Sequence, residues 1–364
     1  MGGIDSETHA DIPAWKPPPP TQCELPWADI LTVDLSKYDS DRQGLVQTIA
    51  TALERDGFFY VTGHGIAPEK LRRQFDFGQL TFDGVSREEK ELHLAPIAEK
   101  GSWMGYKLQN YWEIKDGVRD RIEHYNFYKN SIDPVTRHPE ALRPHVPEIK
   151  EFLAEIRQKV LRRICCLIDA ILGLQDGYLW SLHDNDAGES GDDLIRYMLY
   201  DPLTQEESYK TNGVMLNGHT DFNSISTLLS QPISALQVLM PDNVWRYVKH
   251  KDGALVINIG DQLSFMSGGI LKGTMHRVIR PPPDQVHLRR LGVFHFAQLR
   301  HGTSLDLVPS EKVRKEGHRI FEAEIPTSDQ WEMTRVKSYG TATFIKGEEF
   351  DIEMIAGLQV RHYH

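Results

Sequence analysis

The chain has 364 residues, with 41 lysines and arginines against 52 aspartates and glutamates, a formal net charge of −11 and a hydrophobic fraction of 40%. This length is enough for one large domain or two of ordinary size with a substantial core. The acidic balance argues against nucleic acid or an anionic membrane as the main partner. No apolar run is long enough for a transmembrane helix.

The N-terminus and the cysteines indicate a compartment. Residues 1–21 are polar and acidic before Lys16 and four prolines, which is not the pattern of a signal peptide. Three cysteines, Cys23, Cys165 and Cys166, are too few for a disulfide framework. The sequence therefore predicts a globular cytoplasmic protein whose partner is a small molecule, without a nucleic acid or membrane partner. It leaves the oligomeric state open.

Four segments are predicted along the chain. Residues 1–26 form an N-terminal tail, and 27–185 a helix-rich N-terminal region. Residues 186–300 form a β core, and 301–364 a C-terminal extension with one helix.

The tail is expected to be a partly ordered extension. Pro17–Pro20 favours an extended polyproline conformation, and Trp15 and Trp27 are placed to fix the ends of the tail to the body of the protein. A ligand for a proline-binding module is the less favoured alternative.

The N-terminal half begins with a strand, a helix and a second strand. Ile30–Leu35 alternates apolar and polar residues, Gln43–Arg55 has apolar residues at helical spacing, and Gly57–Thr62 is rich in β-forming residues before a Gly-His-Gly turn. Pro68–Phe82 is predicted to be another helix. Ile149–Leu174 is the longest periodic segment and is predicted to be one long helix.

The second half changes to short β-type runs separated by Gly, Pro and Asn. These runs are Leu194–Tyr200, Ser224–Leu229, Leu236–Leu239, Val244–Tyr247, Ala254–Ile259, His276–Ile279 and Arg290–Leu299. Regular short strands of this kind predict an antiparallel sandwich or barrel. Ser328–Tyr339 is predicted to be the last helix, with Ser328 as its N-cap.

A Gly-His-Thr-Asp motif at residues 218–221 contains candidate metal ligands. Because residues i and i+2 of a strand face the same way, His219 and Asp221 are expected to direct an imidazole and a carboxylate to one point. A third ligand would complete a 2-His-1-carboxylate set, which leaves positions on non-haem Fe(II) open for substrate and O2. His276 lies in a later β-type run and is the best candidate.

The His-x-Asp spacing by itself is weak evidence. His9 and Asp11 have the same spacing, and His138 and Glu140 are a glutamate variant of it. The first pair lies in the polar tail and the second contains a proline among turn residues, so neither has a rigid strand context.

An ordered set of motifs resembles one known family. In the second half these are His219–Leu229, Ala235–Val238, Gly253–Leu263 and His276–Val278. In the first half they are Val33–Ser36, Gly57–Ile66, Gly105–Tyr106 and Asp120–Glu123. Over roughly residues 28–300, the chain resembles the Fe(II)/2-oxoglutarate-dependent dioxygenase superfamily, in its isopenicillin N synthase-like branch.

The resemblance implies a fold, a metal and a reaction. The fold would be a mainly β, double-stranded β-helix (jelly-roll) core with flanking helices and a helix-rich N-terminal region. His219, Asp221 and His276 would hold Fe(II), with 2-oxoglutarate as co-substrate and O2 as oxidant. The reaction would be hydroxylation, desaturation or ring formation on a small organic molecule such as a secondary metabolite, with release of succinate and CO2.

The resemblance also implies where 2-oxoglutarate binds. In the family, an arginine that begins an Arg-x-Ser motif binds the distal carboxylate, and it matches Arg290. Tyr200 matches a tyrosine that hydrogen-bonds the same carboxylate. Gly292 replaces the serine of the motif, at a cost of about 1.5–3 kcal/mol for a lost hydrogen bond to a charged group, and Met198 replaces an asparagine near the C1 carboxylate. Strand alternation predicts that Arg289 faces away from Arg290.

Four further side chains are candidates for the substrate pocket, namely Tyr106, Phe127, Phe222 and His295. Aromatic side chains in a β sandwich also pack in the core, so the pocket assignment is one of two interpretations. Three alternative functions stay open: an iron oxidase of the same fold that does not use 2-oxoglutarate, a non-catalytic ligand-binding relative, and a zinc hydrolase.

Overall fold

The structure is a computed structural model that describes residues 12–183, 191–321, 324–338, 345, 347, 350–355 and 358–363. Its helices are α1 (Arg42–Arg55), α2 (Pro68–Asp83), α3 (Arg87–Leu92), α4 (Ile97–Lys100), α5 (Val146–Ile156), α6 (Arg162–Leu172), α7 (Tyr178–Ser181), α8 (Gln205–Lys210), α9 (Asp261–Met266), α10 (Glu311–Glu316) and α11 (Ser328–Ser338). Shorter 3-10 turns cover Leu35–Lys37, Lys129–Ser131, Val135–Arg137 and Glu140–His145, and a π-helical turn covers Arg157–Leu161.

The strands are β1 (Thr32–Asp34), β2 (Phe58–Thr62), β3 (Gly105–Lys107), β4 (Glu113–Lys115), β5 (Val118–Arg119), β6 (Ile122–Tyr128), β7 (Leu194–Tyr200), β8 (Val214–His219), β9 (Ile225–Leu229), β10 (Leu236–Leu239), β11 (Trp245–Tyr247), β12 (Leu255–Ile259), β13 (His276–Ile279), β14 (Arg290–Ala297), β15 (Phe350–Ile355) and β16 (Leu358–Tyr363). Each β-type run predicted between 194 and 299 contains one of these strands.

Two large sheets form the core. The larger has eight strands in the order β1-β2-β12-β9-β14-β7-β6-β3, and the smaller has six in the order β11-β10-β13-β8-β16-β15. β1 pairs with β2 in parallel, and the strand pairs that follow in the larger sheet are antiparallel. Large antiparallel sheets with flanking helices confirm the predicted jelly-roll class.

Strands from the N-terminal region complete the larger sheet. β1 and β2 lie at one edge of it, and β6 and β3 lie at the other. The sequence did not predict β6, because all seven of its residues are buried and its polar side chains do not alternate with apolar ones. The boundaries of the four predicted segments stay predictions.

The outer face of the larger sheet is covered by helices. The predicted long helix is α5, the π-helical turn and α6 in succession, and it ends at Gly173, which has a left-handed φ of 68°. The helix α2 packs on β14 and β7. A Cβ on Gly78 would lie 3.1 Å from Leu291 Cδ1, so a glycine at this position lets α2 approach the sheet closely.

The described part of the tail lies against the body, and both tryptophans hold it there. Trp15 stacks on Phe75 of α2 with ring centroids 4.4 Å apart. Trp27 lies edge-on to Tyr247 of β11 at 6.2 Å. Both contacts are made by the two tryptophans that were predicted from the sequence to fix the tail to the body of the protein.

The C-terminal extension contains the predicted helix and one hairpin that was not predicted. The helix is α11, while residues 339 and 340 lie outside the described ranges. β15 and β16 form the hairpin, and β16 joins β8 where Tyr363 pairs with Gly218. None of the helices in the described ranges is long and apolar enough to cross a membrane.

Candidate active site

Three metal-binding side chains converge at the end of two neighbouring strands. His219 is the last residue of β8 and His276 is the first of β13, and the two are paired in register. Asp221 lies two residues beyond the end of β8, not within a strand as the sequence suggested. Its Oδ1 is 3.8 Å from His219 Nε2 and 3.6 Å from His276 Nε2. One ligand atom from each residue lies within 4.8 Å of the other two.

Both histidines are oriented by backbone carbonyls. Nδ1–H of His219 donates to the carbonyl oxygen of Asn217 at 2.9 Å, and Nδ1–H of His276 donates to that of Thr274 at 3.0 Å. A carbonyl oxygen can only accept, so each Nε2 keeps its lone pair for a metal. Burial, together with the neighbouring His276, lowers the pKa of His219 to about 3. The imidazole of His219 is therefore neutral, which is the form that binds a metal.

The carboxylate of Asp221 is held by one of its two oxygens. Ser226 Oγ donates to Oδ2 at 2.6 Å and Asn258 Nδ2 donates to it at 2.7 Å, so Oδ1 faces the histidines. Burial by itself would raise the pKa of Asp221, but His276, His219 and these two hydrogen bonds hold it below its ordinary value. The carboxylate is therefore ionised and ready to bind a cation.

Neither donor to Asp221 was selected from the sequence. Ser226 of β9 and Asn258 of β12 are directly opposite each other in register, and both point to Asp221. Asn258 lies within β12, inside the predicted β-type run Ala254–Ile259. A signal existed: Asn258 is the one polar residue in the apolar strand Leu255–Ile259.

Asn258→Ala is expected to weaken Fe(II) binding by about 10–100-fold, because a hydrogen bond from a residue behind the metal ligand holds the carboxylate of Asp221 in its direction. Anaerobic Fe(II) titration of the purified protein measures the affinity. Asn130→Ala is the control, since the Asn130 amide donates to the carbonyl of Gly191 instead. Wild-type affinity in Asn258→Ala would mean that this hydrogen bond does not orient Asp221.

The three metal-binding residues open into a cavity between the sheets. It encloses about 1000 Å³, counting its opening to solvent. Its aromatic wall consists of Phe58, Trp103, Trp112, Tyr200, Phe222, Phe294 and Phe296. Its charged lining away from the metal-binding residues consists of Arg196, Arg290 and Glu332.

Arg290 is a buried cation with unused donors. It begins β14 opposite Tyr200 of β7, and its guanidinium carbon lies 5.3 Å from the centre of the Tyr200 ring. Its Nε and Nη1 have no hydrogen-bond partner among the described residues. Burial lowers the pKa of Arg290 below its ordinary value. A buried positive charge without a nearby negative charge has this effect. Arg289 faces the other way, as predicted, and pairs with the exposed Asp83 at 2.8 Å.

The two departures from the family motif face each other across one strand pair. Gly292 of β14 is opposite Met198 of β7. A Cβ at position 292 would lie 2.7 Å from Phe294 Cε2, so the Phe294 ring takes up space that a serine side chain would need. Met198 Sδ accepts a hydrogen bond from the Tyr200 hydroxyl at 3.3 Å.

Only one of the four predicted pocket side chains reaches the cavity, and it is Phe222. The structure places Tyr106, Phe127 and His295 elsewhere, in the core on the helix-covered face of the larger sheet. The Tyr106 hydroxyl donates to the carbonyl of Thr81 in α2 at 2.8 Å. On β14 the even-numbered residues 290, 294 and 296 line the cavity, so His295 points to the opposite face.

The same alternation could have selected other cavity residues from the sequence. Counting by two from Arg290 reaches Phe294 and Phe296, and counting by two from Tyr200 reaches Arg196. Trp103, Trp112 and Glu332 reach the cavity from other parts of the chain. No local pattern of the sequence indicated those three.

Two family models match this chain. The model for the 2OG-Fe(II) oxygenase superfamily matches residues 193–298. The model described as non-haem dioxygenase in morphine synthesis N-terminal matches residues 30–148. Together they cover the β core with the metal-binding residues and most of the helix-rich N-terminal region.

Curated relatives are similar over most of their length. The chain is 29% identical over 276 residues to a flavonol synthase/flavanone 3-hydroxylase from Eustoma exaltatum subsp. russellianum, covering 70% of this chain and 77% of that protein. It is 26% identical over 265 residues to a homoarginine-6-hydroxylase from Oryza sativa subsp. japonica, covering 67% of this chain and 76% of that protein.

Solved structures share the fold. A putative 2OG-Fe(II) oxygenase family protein from Caulobacter crescentus matches with a TM-score of 0.71 at 21% identity, covering 85% of this chain and 99% of that one. JOX2 in complex with 2OG, Fe and JA matches with a TM-score of 0.70 at 22% identity, covering 87% of each chain.

Proposed function

Because the chain belongs to the 2OG-Fe(II) oxygenase superfamily, we propose that His219, Asp221 and His276 hold the Fe(II) of a 2-oxoglutarate-dependent dioxygenase. Fe(II), 2-oxoglutarate and O2 are the cofactors of this family. The observation that carries the proposal is the convergence of Nε2, Nε2 and Oδ1 on one point.

The residues present fit a ferrous ion. Two imidazoles and one carboxylate leave coordination positions open, which suits iron that must also bind a keto acid and O2. When bound, the iron supplies the activation of O2 for oxidation of the substrate. Asn217, Thr274, Ser226 and Asn258 fix the direction of the three ligands, so the protein has this arrangement before the metal binds.

Arg290 and Tyr200 are proposed to bind the distal carboxylate of 2-oxoglutarate, with the Tyr200 hydroxyl donating its proton to the carboxylate in place of Met198 Sδ. A planar guanidinium binds a carboxylate through two parallel hydrogen bonds, and Nη1 of Arg290, one of the two terminal nitrogens that can supply them, lacks a partner among the described residues. A dianionic ligand would compensate a charge that the described residues leave uncompensated. Gly292 offers no hydroxyl for this carboxylate, so Arg290 carries a larger share of the binding here.

The cavity supports a small organic substrate. Aromatic side chains surround it, which excludes water from the reacting groups. The relatives are named for a flavonol, a flavanone and homoarginine, and we propose a secondary metabolite of similar size for this protein. Hydroxylation, desaturation and ring formation are all compatible with this site.

A cytoplasmic location is part of the proposal. Cys23, Cys165 and Cys166 are free thiols, which suits a reducing compartment. The buried cavity supports a small-molecule partner rather than a nucleic acid or a membrane.

Turnover of 2-oxoglutarate tests the proposed function. The protein is loaded with Fe(II) without oxygen, and 2-oxoglutarate and O2 are then added. We expect O2 to be consumed and succinate to be formed in equal amounts. The reaction should be slow without a substrate and faster when an accepted substrate is added. Protein loaded with Zn(II) should form no succinate. O2 consumption without succinate would support an iron oxidase that does not use 2-oxoglutarate. An iron-loaded protein that does neither would be a ligand-binding relative.

A further inference from the structure

Glu332 is a buried acid that the proposed reaction does not use. It lies on α11 and lines the same cavity as the metal-binding residues, with 5% of its surface exposed. Among the residues that the structure describes, none makes a hydrogen bond to its carboxyl group. A buried acceptor that stays unsatisfied costs free energy, so a ligand that satisfies it gains affinity.

Core packing of the neighbouring residues fixes the direction of Glu332. Trp331 is fully buried and lies edge-on to Phe265 at 5.0 Å and to Phe321 at 6.2 Å. Met333 lies on the outer side of the helix and is partly exposed. Since successive helical residues point about 100° apart, the burial of Trp331 holds Glu332 toward the cavity.

Glu332 lies in the half of the cavity that is remote from the proposed 2-oxoglutarate anchor. The electrostatic influence of Arg196 of β7 reaches its carboxyl group. Arg196 precedes Tyr200 by four residues, which is about 13 Å along a strand. The wall near Arg196 is aromatic, with its guanidinium carbon 5.5 Å from the ring centre of Trp103 and 4.9 Å from that of Phe296.

The charges around Glu332 favour a neutral ligand group over a cation. Burial, with Asp192 and Asp329 nearby, raises the pKa of Glu332 well above its ordinary value, and Arg196 opposes the rise. The uncharged carboxyl group is thereby favoured, and its carbonyl oxygen accepts hydrogen bonds. An uncharged carboxyl group offers a cation no opposite charge, so a neutral N–H or O–H donor is the better partner for it.

We propose that Glu332 determines substrate specificity by accepting a hydrogen bond from a neutral N–H or O–H group on a flat, ring-containing molecule. This inference rests on the proposed function and deepens it, because it names the substrate class of the same site. The ring packs against the aromatic wall near Trp103 and Phe296, and the donor faces α11. An apolar ring without a donor leaves the Glu332 oxygen unsatisfied and binds more weakly.

Calorimetric titration of two probes tests this assignment. The protein is loaded with Fe(II) and 2-oxoglutarate without oxygen, and 2-quinolone, which has a ring N–H, is compared with N-methyl-2-quinolone, which lacks it. We expect wild-type protein to bind 2-quinolone at least about tenfold more tightly. Glu332→Leu is expected to lose this preference, and Glu332→Gln, which keeps an acceptor oxygen, is expected to retain it. Thr334→Val, on the exposed side of α11, is the matched control and should behave as wild type.

Several outcomes would overturn the assignment. These are equal affinities in the wild type, no binding of 2-quinolone, or the same preference in Glu332→Leu, which would indicate a steric effect of the methyl group. The affinity for 2-oxoglutarate, measured before the quinolones are added, reports on the proposed function separately. If 2-oxoglutarate binds and only the quinolone preference fails, the specificity assignment is wrong and the proposed function stands.

Discussion

Asp221→Ala is expected to abolish succinate formation and to leave the purified protein without stoichiometric iron. Asp221 is the one anionic member of the predicted ligand set, and its Oδ1 lies less than 4 Å from both Nε2 atoms. Without it, only two imidazoles remain from the ligand set, and they are a poor site for a ferrous ion. Iron content after dialysis and succinate formation measure the effect. His219→Ala and His276→Ala are expected to give the same result.

The control for this prediction is an aspartate of the same type in a different setting. Asp242 lies on the surface and pairs with Arg246, so Asp242→Ala is expected to keep iron and turnover. Thermal unfolding of each variant separates a lost ligand from a lost fold. Wild-type iron content and turnover in a folded Asp221→Ala protein would remove Asp221 from the proposed centre.

Seven strands of the β core, β7 and β9 to β14, could be predicted because they are short and bounded by turn residues, whereas β8 was not among the predicted runs. The strand β6 could not, since burial on both faces removes the alternation on which such predictions depend. The hairpin β15–β16 was also not recognised, although residues 350–354 alternate in polarity.

The metal-binding residues could be selected from the sequence, but the reason given for two of them was incomplete. The i, i+2 spacing predicts that His219 and Asp221 face the same way in a strand, whereas Asp221 lies past the end of β8. The direction of its carboxylate comes from Ser226 and Asn258 instead. These contacts join residues from two other strands, so only the folded sheet shows them.

The substrate half of the cavity was the part that the sequence predicted least well. Its residues reach the cavity from β7, β14, two loops and α11, and their meeting depends on contacts between distant segments. Because side chains alternate between the two faces of a strand, counting from Arg290 on β14 would have placed Phe294 on the cavity face and His295 on the opposite face. The sequence has no such pattern for Glu332, because the packing of Trp331 in the core determines the direction of the Glu332 side chain.

Arg290→Leu is expected to raise the 2-oxoglutarate concentration that gives half-maximal turnover by about a hundredfold or more. Two hydrogen bonds from a cation to a carboxylate are worth about 3 kcal/mol or more, which corresponds to this factor. Arg289→Leu is the matched control. Arg289 lies outside the cavity and pairs with Asp83 and Asp201, so its replacement should leave the 2-oxoglutarate requirement unchanged. An unchanged requirement in Arg290→Leu would assign the anchor to another residue.

Stability measurements give a second, independent test of Arg290. Because Nε and Nη1 of this buried cation lack partners among the described residues, ligand-free Arg290→Leu is expected to be at least as stable as the wild type. At 100 times the dissociation constant, 2-oxoglutarate should stabilise the wild type by about 2.7 kcal/mol. The same concentration should leave the melting temperature of Arg290→Leu almost unchanged. A variant that 2-oxoglutarate still stabilises by the wild-type amount would show that Arg290 does not bind it.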